Sequence, residues 1–162
     1  MPVGVDLEQV ERRIGVSLAV WGTASLVVGG LIRMCARSDR AQAFGRQSAA
    51  WGAIDIAIAA VAHLRAGRRT AQPGDADRAR LHRVLVVNVV LDAGYVAAGA
   101  VLMARADSVA ATWPGRPYSA ESLRGDGAAV IVQGVFLGVH DAVFAAQTAE
   151  RAVGGSAVAK AP

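Results

Sequence analysis

Residues 14–32 read IGVSLAVWGTASLVVGGLI, a run without a single charged side chain. Three further segments without lysine or arginine follow, at residues 47–64, 84–104 and 127–149. An α-helix rises 1.5 Å per residue, so segments of about 18 to 23 residues extend about 27–35 Å and match a hydrocarbon core about 30 Å thick. The sequence therefore predicts an all-α fold, a four-helix transmembrane bundle in the cell membrane.

The composition favours one membrane domain. The chain has 162 residues and is 54% hydrophobic, which is more apolar material than a soluble domain of this size usually needs. We expect residues 1–153 to form this domain and the small, polar residues 154–162 to form a disordered tail. A soluble four-helix bundle is the alternative fold.

The charge distribution indicates a lipid partner. The net charge is +4, but the arginines lie between the apolar segments instead of along one face with aromatics, so no nucleic-acid partner is predicted. Anionic headgroups attract such arginines. Lysine and arginine are more frequent in the N-terminal segment, the second loop and the tail than in the other two loops, which places both termini in the cytoplasm. Lys160 is the only lysine, as is typical of high-GC bacterial genomes.

Three aspartates, Asp55, Asp92 and Asp141, lie within the apolar segments. Each opposes insertion by about 2.5–3.5 kcal/mol near the middle of a membrane helix, so a function is expected for them. Residues four apart share a helix face. The polar stripes defined in this way are Ser17, Trp21, Ser25 and Gly29; Gln47, Trp51 and Asp55; Asn88, Asp92, Tyr95 and Gly99; and Gln133, Leu137 and Asp141, with His140 beside it. Because lipid cannot satisfy polar groups, the four stripes should meet in a polar centre.

The polar centre suggests acid–base chemistry, because carboxyls that share a site of low dielectric constant cannot all ionise. The predicted catalytic residues are Asp55, Asp92 and Asp141 as acid and base, and His140 as a proton relay. The predicted substrate-binding residues are the orienting groups Gln47, Asn88, Gln133 and Tyr95 and the pocket walls Trp21 and Trp51. The alternative reading of the amides is interhelical hydrogen bonding that fixes register, and that of the tryptophans is packing. No HxxxH or ExxH spacing occurs, so neither a metal nor another cofactor is predicted.

The leading functional hypothesis is an acid–base site that acts on an apolar or amphipathic small molecule, as an isomerase, cyclase or hydratase would. A proton-coupled small-solute transporter or channel component is the second hypothesis, and it requires a homo-oligomer because four spans leave little room for alternating access. A non-catalytic membrane subunit is the third.

Two local patterns add to this interpretation. Residues 47–55 align with residues 133–141 at glutamine, glycine and aspartate, which suggests that the second and fourth helices are equivalent halves of a parallel repeat. Residues 113–118, WPGRPY, are typical of a turn at the membrane interface, and a lid over a site is the alternative.

The segments F-G-x-Q-x-x-x-W-G-x-x-D at residues 44–55 and N-x-x-x-D-x-x-Y-x-x-x-G at residues 88–99 carry a resemblance. They resemble a family of small uncharacterised bacterial proteins with four predicted spans. The resemblance implies a four-span fold and a membrane location, and it implies no activity.

Overall fold

A computed structural model describes residues 6–112 and 118–158, with side chains up to residue 149. The elements are α1 (Leu7–Cys35), α2 (Asp39–Gly67), α3 (Asp75–Ala104), α4 (Ala106–Thr112) and α5 (Ala120–Val158). No strand occurs within these ranges. The predicted all-α fold is confirmed, and α1, α2, α3 and the part of α5 at Ala120–Ala149 are long and apolar enough to cross a membrane.

The helices extend beyond the apolar segments from which they were predicted. α1 and α2 each contain 29 residues, so each is about 44 Å long and reaches past a hydrocarbon core of about 30 Å. Side chains at their first turns set where they begin: Asp6 accepts a hydrogen bond from the Glu8 amide, and Ser38 accepts one from the Ala41 amide. Such caps satisfy amides that the helix itself leaves unpaired.

The structure contains helix beyond the four predicted segments. The short α4 lies in the third loop, where no helix was predicted, and residues 113–117 of the predicted interfacial turn lie outside the described residues. α5 continues to Val158, and the disorder expected for residues 154–162 stays a prediction. Residues 159–162 lie outside the described part.

The bundle consists of two antiparallel hairpins. α1 packs along α2, α3 packs along α5, and the hairpins meet where α2 contacts α5. α2 and α5 therefore form the central pair, with α1 and α3 on its two sides. We call the end of the bundle at which α1 begins and α2 ends the N-terminal end; there Arg69 forms an ion pair with Glu11 at 2.9 Å.

Glycines allow the backbones of α1 and α2 to approach closely. A Cβ atom added to Gly29 would lie 2.6 Å from the Gly45 carbonyl oxygen, and one added to Gly22 would lie 2.8 Å from the Gly52 carbonyl oxygen. Such distances are shorter than a real Cβ contact. Both pairs of positions must therefore lack a side chain for the hairpin to close in this way, as at other interfaces of small residues between membrane helices.

The second hairpin closes by a similar contact. A Cβ atom on Gly127 would lie 2.7 Å from the Gly99 carbonyl oxygen, and one on Gly134 would lie 3.0 Å from the Asp92 carbonyl oxygen. Gly127 and Gly134 have the same separation along α5 as Gly45 and Gly52 have along α2. By these contacts Gly134 corresponds to Gly52, whereas the sequence alignment paired Gly52 with Gly138, one helical turn away.

The surface of the bundle is apolar and its centre is polar. Val20 is 65% exposed and Val90 is 69% exposed, whereas Asp55, Asp92 and Asp141 are buried. A soluble bundle has the opposite arrangement. This distribution is what a lipid environment requires, since polar side chains then turn towards the helix contacts.

Candidate functional site

Five buried polar side chains from the second, third and fifth helices lie together between the hairpins. Asp55 is 1% exposed and Asp92 is 4% exposed. We call these five residues the polar centre: Asp55, Asp92, Gln133, His140 and Asp141. The structure therefore brings the four predicted catalytic residues and one of the predicted orienting residues into one region.

A first chain of hydrogen bonds runs from Trp21 on α1 through Gln133 on α5 to Asp55 on α2. The Trp21 indole Nε1 donates to Gln133 Oε1 at 2.9 Å, and Gln133 Nε2 donates to Asp55 Oδ2. An indole nitrogen can only donate, so it fixes which end of the Gln133 amide carries the oxygen. As a result, the NH2 group of Gln133 faces Asp55, and Asp55 Oδ2 accepts a hydrogen bond from it.

The hydrogen bond from Trp21 to Gln133 predicts that two matched tryptophan substitutions change the free energy of unfolding by different amounts. Trp21→Phe keeps an aromatic ring against Phe136 but removes the donor to Gln133, so the free energy of unfolding should fall by about 1 kcal/mol. Trp51 provides the control, since its Nε1 has no hydrogen-bond partner in the described part of the chain. Trp51→Phe should therefore change the free energy of unfolding by much less.

The measurement is a titration of purified protein with a denaturing detergent in mixed micelles, followed by circular dichroism. Equal losses in Trp21→Phe and Trp51→Phe would show that the bond from Trp21 to Gln133 does not stabilise the bundle.

A second chain links Ser17 on α1 to His140 and Asp141 on α5. Ser17 Oγ lies 2.7 Å from His140 Nε2, and His140 Nδ1 lies 2.7 Å from Asp141 Oδ1. The Ser17 hydroxyl also lies 2.9 Å from the Arg13 carbonyl oxygen. It can therefore donate either to the backbone or to the imidazole.

The two positions of the Ser17 proton correspond to two protonation states of the His140–Asp141 pair. If Ser17 donates to the Arg13 carbonyl, Nε2 must donate to Ser17, and one further proton is shared between Nδ1 and Asp141. If Ser17 donates to Nε2, Nδ1 carries the imidazole proton and can donate it in a hydrogen bond to an ionised Asp141. The first state holds one more proton than the second. The three residues Ser17, His140 and Asp141 can therefore release or accept a proton with little movement of heavy atoms.

Asp92 on α3 lies against α5: a Cβ atom added to Gly134 would lie 3.0 Å from the Asp92 carbonyl oxygen, and one added to Gly138 would lie 3.4 Å from the Asp92 Cβ atom. Asp92 interacts electrostatically with Asp141, His140 and Asp55, and its Oδ2 is buried without a hydrogen-bond partner among the described residues. A buried polar atom in this condition is costly and calls for an explanation. Asp92 therefore has a free acceptor directed into the interior of the bundle.

Some predicted substrate-binding residues lie outside the polar centre. Gln47 and Asn88 are partly exposed and make no side-chain hydrogen bond within the described ranges, and Tyr95 is 40% exposed. Tyr95 instead meets Trp51 edge to face, with ring centroids 5.4 Å apart. Distance from the aspartate along a stripe does not decide burial, since Gln133 lies two turns from Asp141 and is buried, whereas Gln47 lies two turns from Asp55 and is partly exposed.

Aromatic rings surround His140. Phe136 stacks on Trp21 with ring centroids 3.9 Å apart, and Phe136 and Phe144 lie 5.8 Å and 4.8 Å from the imidazole. Phe136 and Phe144 lie four residues before and after His140, but neither is polar, so the search for polar stripes did not include them. That spacing places all three rings on one face of α5.

A groove of about 590 Å³ runs along the outside of the bundle between α1 and α5. It is lined by Arg12, Arg13, Val16, Ser17, Val20, Trp21, Ala24 and Phe136. Ser17 belongs both to this lining and to the second chain. The groove is therefore connected to His140 and Asp141 through a single hydroxyl group.

Within the described ranges, no three histidine, cysteine, aspartate or glutamate side chains are arranged to hold a metal ion. What the polar centre offers is a histidine–carboxyl pair, a carboxyl oriented by an amide and a third carboxyl with a free acceptor.

The chain matches a family model over residues 17–142, and the model is described as "Family of unknown function (DUF6992)". The chain belongs to this family. The DUF6992 match begins at Ser17 and ends one residue beyond Asp141. It therefore contains every residue whose side chain belongs to the two series of hydrogen bonds described above. No curated protein and no solved structure matches the chain.

Proposed function

We propose that this DUF6992 protein is a membrane-embedded acid–base enzyme that acts on an apolar or amphipathic small molecule, in an isomerisation, cyclisation or hydration. The observation that carries the proposal is the chain from Asp141 through His140 to Ser17, whose hydroxyl lines the groove between α1 and α5. A molecule dissolved in the bilayer can enter this groove from the side and reach a proton donor without crossing water.

In this mechanism the His140–Asp141 pair transfers a proton to or from the substrate through Ser17. Asp55 and Asp92 lie behind the groove lining, and whichever of the two is ionised supplies negative charge from the bundle interior that stabilises a developing positive charge on the substrate. Trp21 and Phe136 form an apolar wall that limits access of water to that charge. The role of Gln133 is to orient Asp55.

The proposal is tested by solvent deuterium labelling. Each of the three reaction types places a solvent proton on a carbon atom of the substrate, so reaction in D2O leaves deuterium that does not exchange back. The purified protein is incubated in D2O with bacterial lipid extracts, the lipids are returned to H2O, and their masses are compared with a sample that lacks protein. We expect at least one lipid species to gain deuterium in a protein-dependent manner, and the absence of such a species contradicts the proposal.

A proton-coupled carrier for small solutes is the second candidate, and the free acceptor of Asp92 favours it. A carboxyl with a buried, unpartnered oxygen can pass a proton between Asp55 and Asp141, which interact with it electrostatically. This candidate requires a homo-oligomer and predicts acidification of liposomes that is lost in Asp92→Asn. A monomer without proton flux would leave the enzyme and the non-catalytic subunit as the remaining candidates.

We further propose that both termini face the cytoplasm, because arginine is more frequent at the N-terminal end of the bundle. Cys35 is the only cysteine of the sequence and is exposed at the opposite end. In spheroplasts, a membrane-impermeant maleimide should therefore label Cys35. As a control, the variant Cys35→Ala/Ala71→Cys carries its thiol in the connection between α2 and α3 and should be labelled only after permeabilisation. Labelling of the thiol at position 71 in spheroplasts, with labelling of Cys35 only after permeabilisation, would show that the termini face away from the cytoplasm.

A further inference from the structure

Two arginines lie at the N-terminal end of the groove. Arg12 and Arg13 both line the groove and both are exposed. In the described part of the chain neither forms an ion pair, whereas Arg69 at the same end pairs with Glu11. Adjacent arginines with no carboxylate partner leave two positive charges available to a ligand.

The rest of the groove is apolar. From Arg13 the lining continues along α1 through Val16, Val20 and Ala24, and the stacked rings of Trp21 and Phe136 form its wall. Residues 12–24 of a helix extend about 18 Å. The groove thus combines a cationic end at headgroup level with an apolar channel directed towards the middle of the bilayer.

We infer that the groove binds a single-chain membrane amphiphile with a phosphate head, which Arg12 and Arg13 hold while the chain lies against Trp21 and Phe136. Arginine binds phosphate through two parallel hydrogen bonds, and two guanidinium groups match a phosphate monoester of charge about −1.5 to −2. The volume of about 590 Å³ lies in the range of about 300–1,000 Å³ that is typical of sites for one small molecule. This inference rests on the proposed function, since it names the substrate class of the same site.

The position of Ser17 also indicates where on this amphiphile the reaction occurs. Ser17 lies one helical turn beyond Arg13, which corresponds to about 6 Å along the helix axis. A head held by Arg13 therefore brings the first few carbon atoms of the chain to the Ser17 hydroxyl. The proton is added to a carbon–carbon double bond of the chain close to the phosphate, and the resulting cation loses a proton, closes a ring or adds water.

The binding experiment uses dodecyl phosphate as the probe and native mass spectrometry of the full-length protein in a mild non-ionic detergent. Dodecanol tests the chain without the charge, and inorganic phosphate tests the charge without the chain. We expect dodecyl phosphate to be retained at least 10-fold more strongly than either. Equal retention of dodecyl phosphate and dodecanol overturns the assignment of a phosphate head, and equal retention of inorganic phosphate overturns the need for a chain.

Two double variants remove the same charge from different places. Arg12→Gln/Arg13→Gln should reduce retention of dodecyl phosphate at least 10-fold, whereas Arg80→Gln/Arg83→Gln, on exposed positions of α3, should leave it unchanged. Equal losses in both would indicate general attraction to a basic surface and overturn the groove as the site. Val20→Trp places an indole in the groove at a position that is 65% exposed, so it should fold normally and abolish retention of the probe.

Binding and chemistry can fail separately. If dodecyl phosphate binds with the expected dependence on Arg12 and Arg13 but no lipid gains deuterium, the proposed enzyme is wrong and the amphiphile site stands. If lipids gain deuterium at the same rate in wild type and in the Arg12→Gln/Arg13→Gln variant, the acid–base proposal stands and the phosphate-headed substrate is wrong.

Discussion

Gly45→Ala is expected to lower the free energy of unfolding by about 2 kcal/mol or more, whereas Gly30→Ala should raise it slightly. A Cβ atom added to Gly45 would lie 2.6 Å from the Arg33 amide nitrogen and 2.5 Å from the Gly29 carbonyl oxygen. Both contacts are with backbone atoms, which cannot rotate away, so the hairpin must open. Overpacking of this kind typically costs about 1–3 kcal/mol and occasionally more.

Gly30 is the matched control because it lies on the same hairpin and receives the same substitution. A Cβ atom there meets no atom of the described chain within 4 Å, and alanine is favoured over glycine in a helix by about 0.5–1 kcal/mol. Gly94→Ala on α3 has equally free surroundings and should behave like Gly30→Ala. The two classes are compared by unfolding in mixed micelles, and a change of the same sign at Gly45 and Gly30 would refute the close backbone crossing.

The four helices could be predicted from sequence because lipid imposes a length on any apolar segment that crosses it. Their ends could not be predicted in this way, since beyond the hydrocarbon a helix continues until local hydrogen bonds end it. Asp6 and Ser38 cap helices that begin several residues before the apolar segments at 14–32 and 47–64. The glycine contacts also depend on which helices pack together. For this reason the sequence alignment of residues 47–55 with 133–141 pairs Gly52 with Gly138, whereas the packing contacts pair Gly52 with Gly134, one helical turn earlier.

Part of the site could also be predicted from the properties of lipid. Asp55, Asp92 and Asp141 turn inward because a carboxyl has no partner in lipid, and Gln133 and His140 accompany them. Gln47, Asn88 and Tyr95 share stripes with the aspartates but are partly exposed, because the sequence does not show which part of a stripe meets a neighbouring helix. The groove could not be predicted, because it depends on α1 and α5 meeting through Trp21 and Phe136 while their backbones stay apart.

Asp141→Asn is expected to slow deuterium incorporation into the responding lipid at least 100-fold. The substituted asparagine keeps the shape of the aspartate and can still form a hydrogen bond with His140 Nδ1. It can neither take up the shared proton nor balance the charge of an imidazolium in a buried site. General acid–base groups typically contribute about 10²–10⁴ to a rate, and this substitution removes the proton-holding partner.

Asp107→Asn is the control for this substitution, because Asp107 on α4 pairs with Arg124 at an exposed position far along α5 from His140. Its labelling rate should equal that of the wild type. Dodecyl phosphate binding should be retained in Asp141→Asn, which separates loss of chemistry from loss of fold.

Ser17→Ala then decides how the proton reaches the groove. If the Ser17 hydroxyl transfers it, Ser17→Ala should lose labelling to a similar extent as Asp141→Asn, although His140 and Asp141 are both intact. Full labelling in Ser17→Ala together with its loss in Asp141→Asn would mean that His140 contacts the substrate directly. The pair would then remain the acid and base, and the role of Ser17 would be reduced to orienting the imidazole.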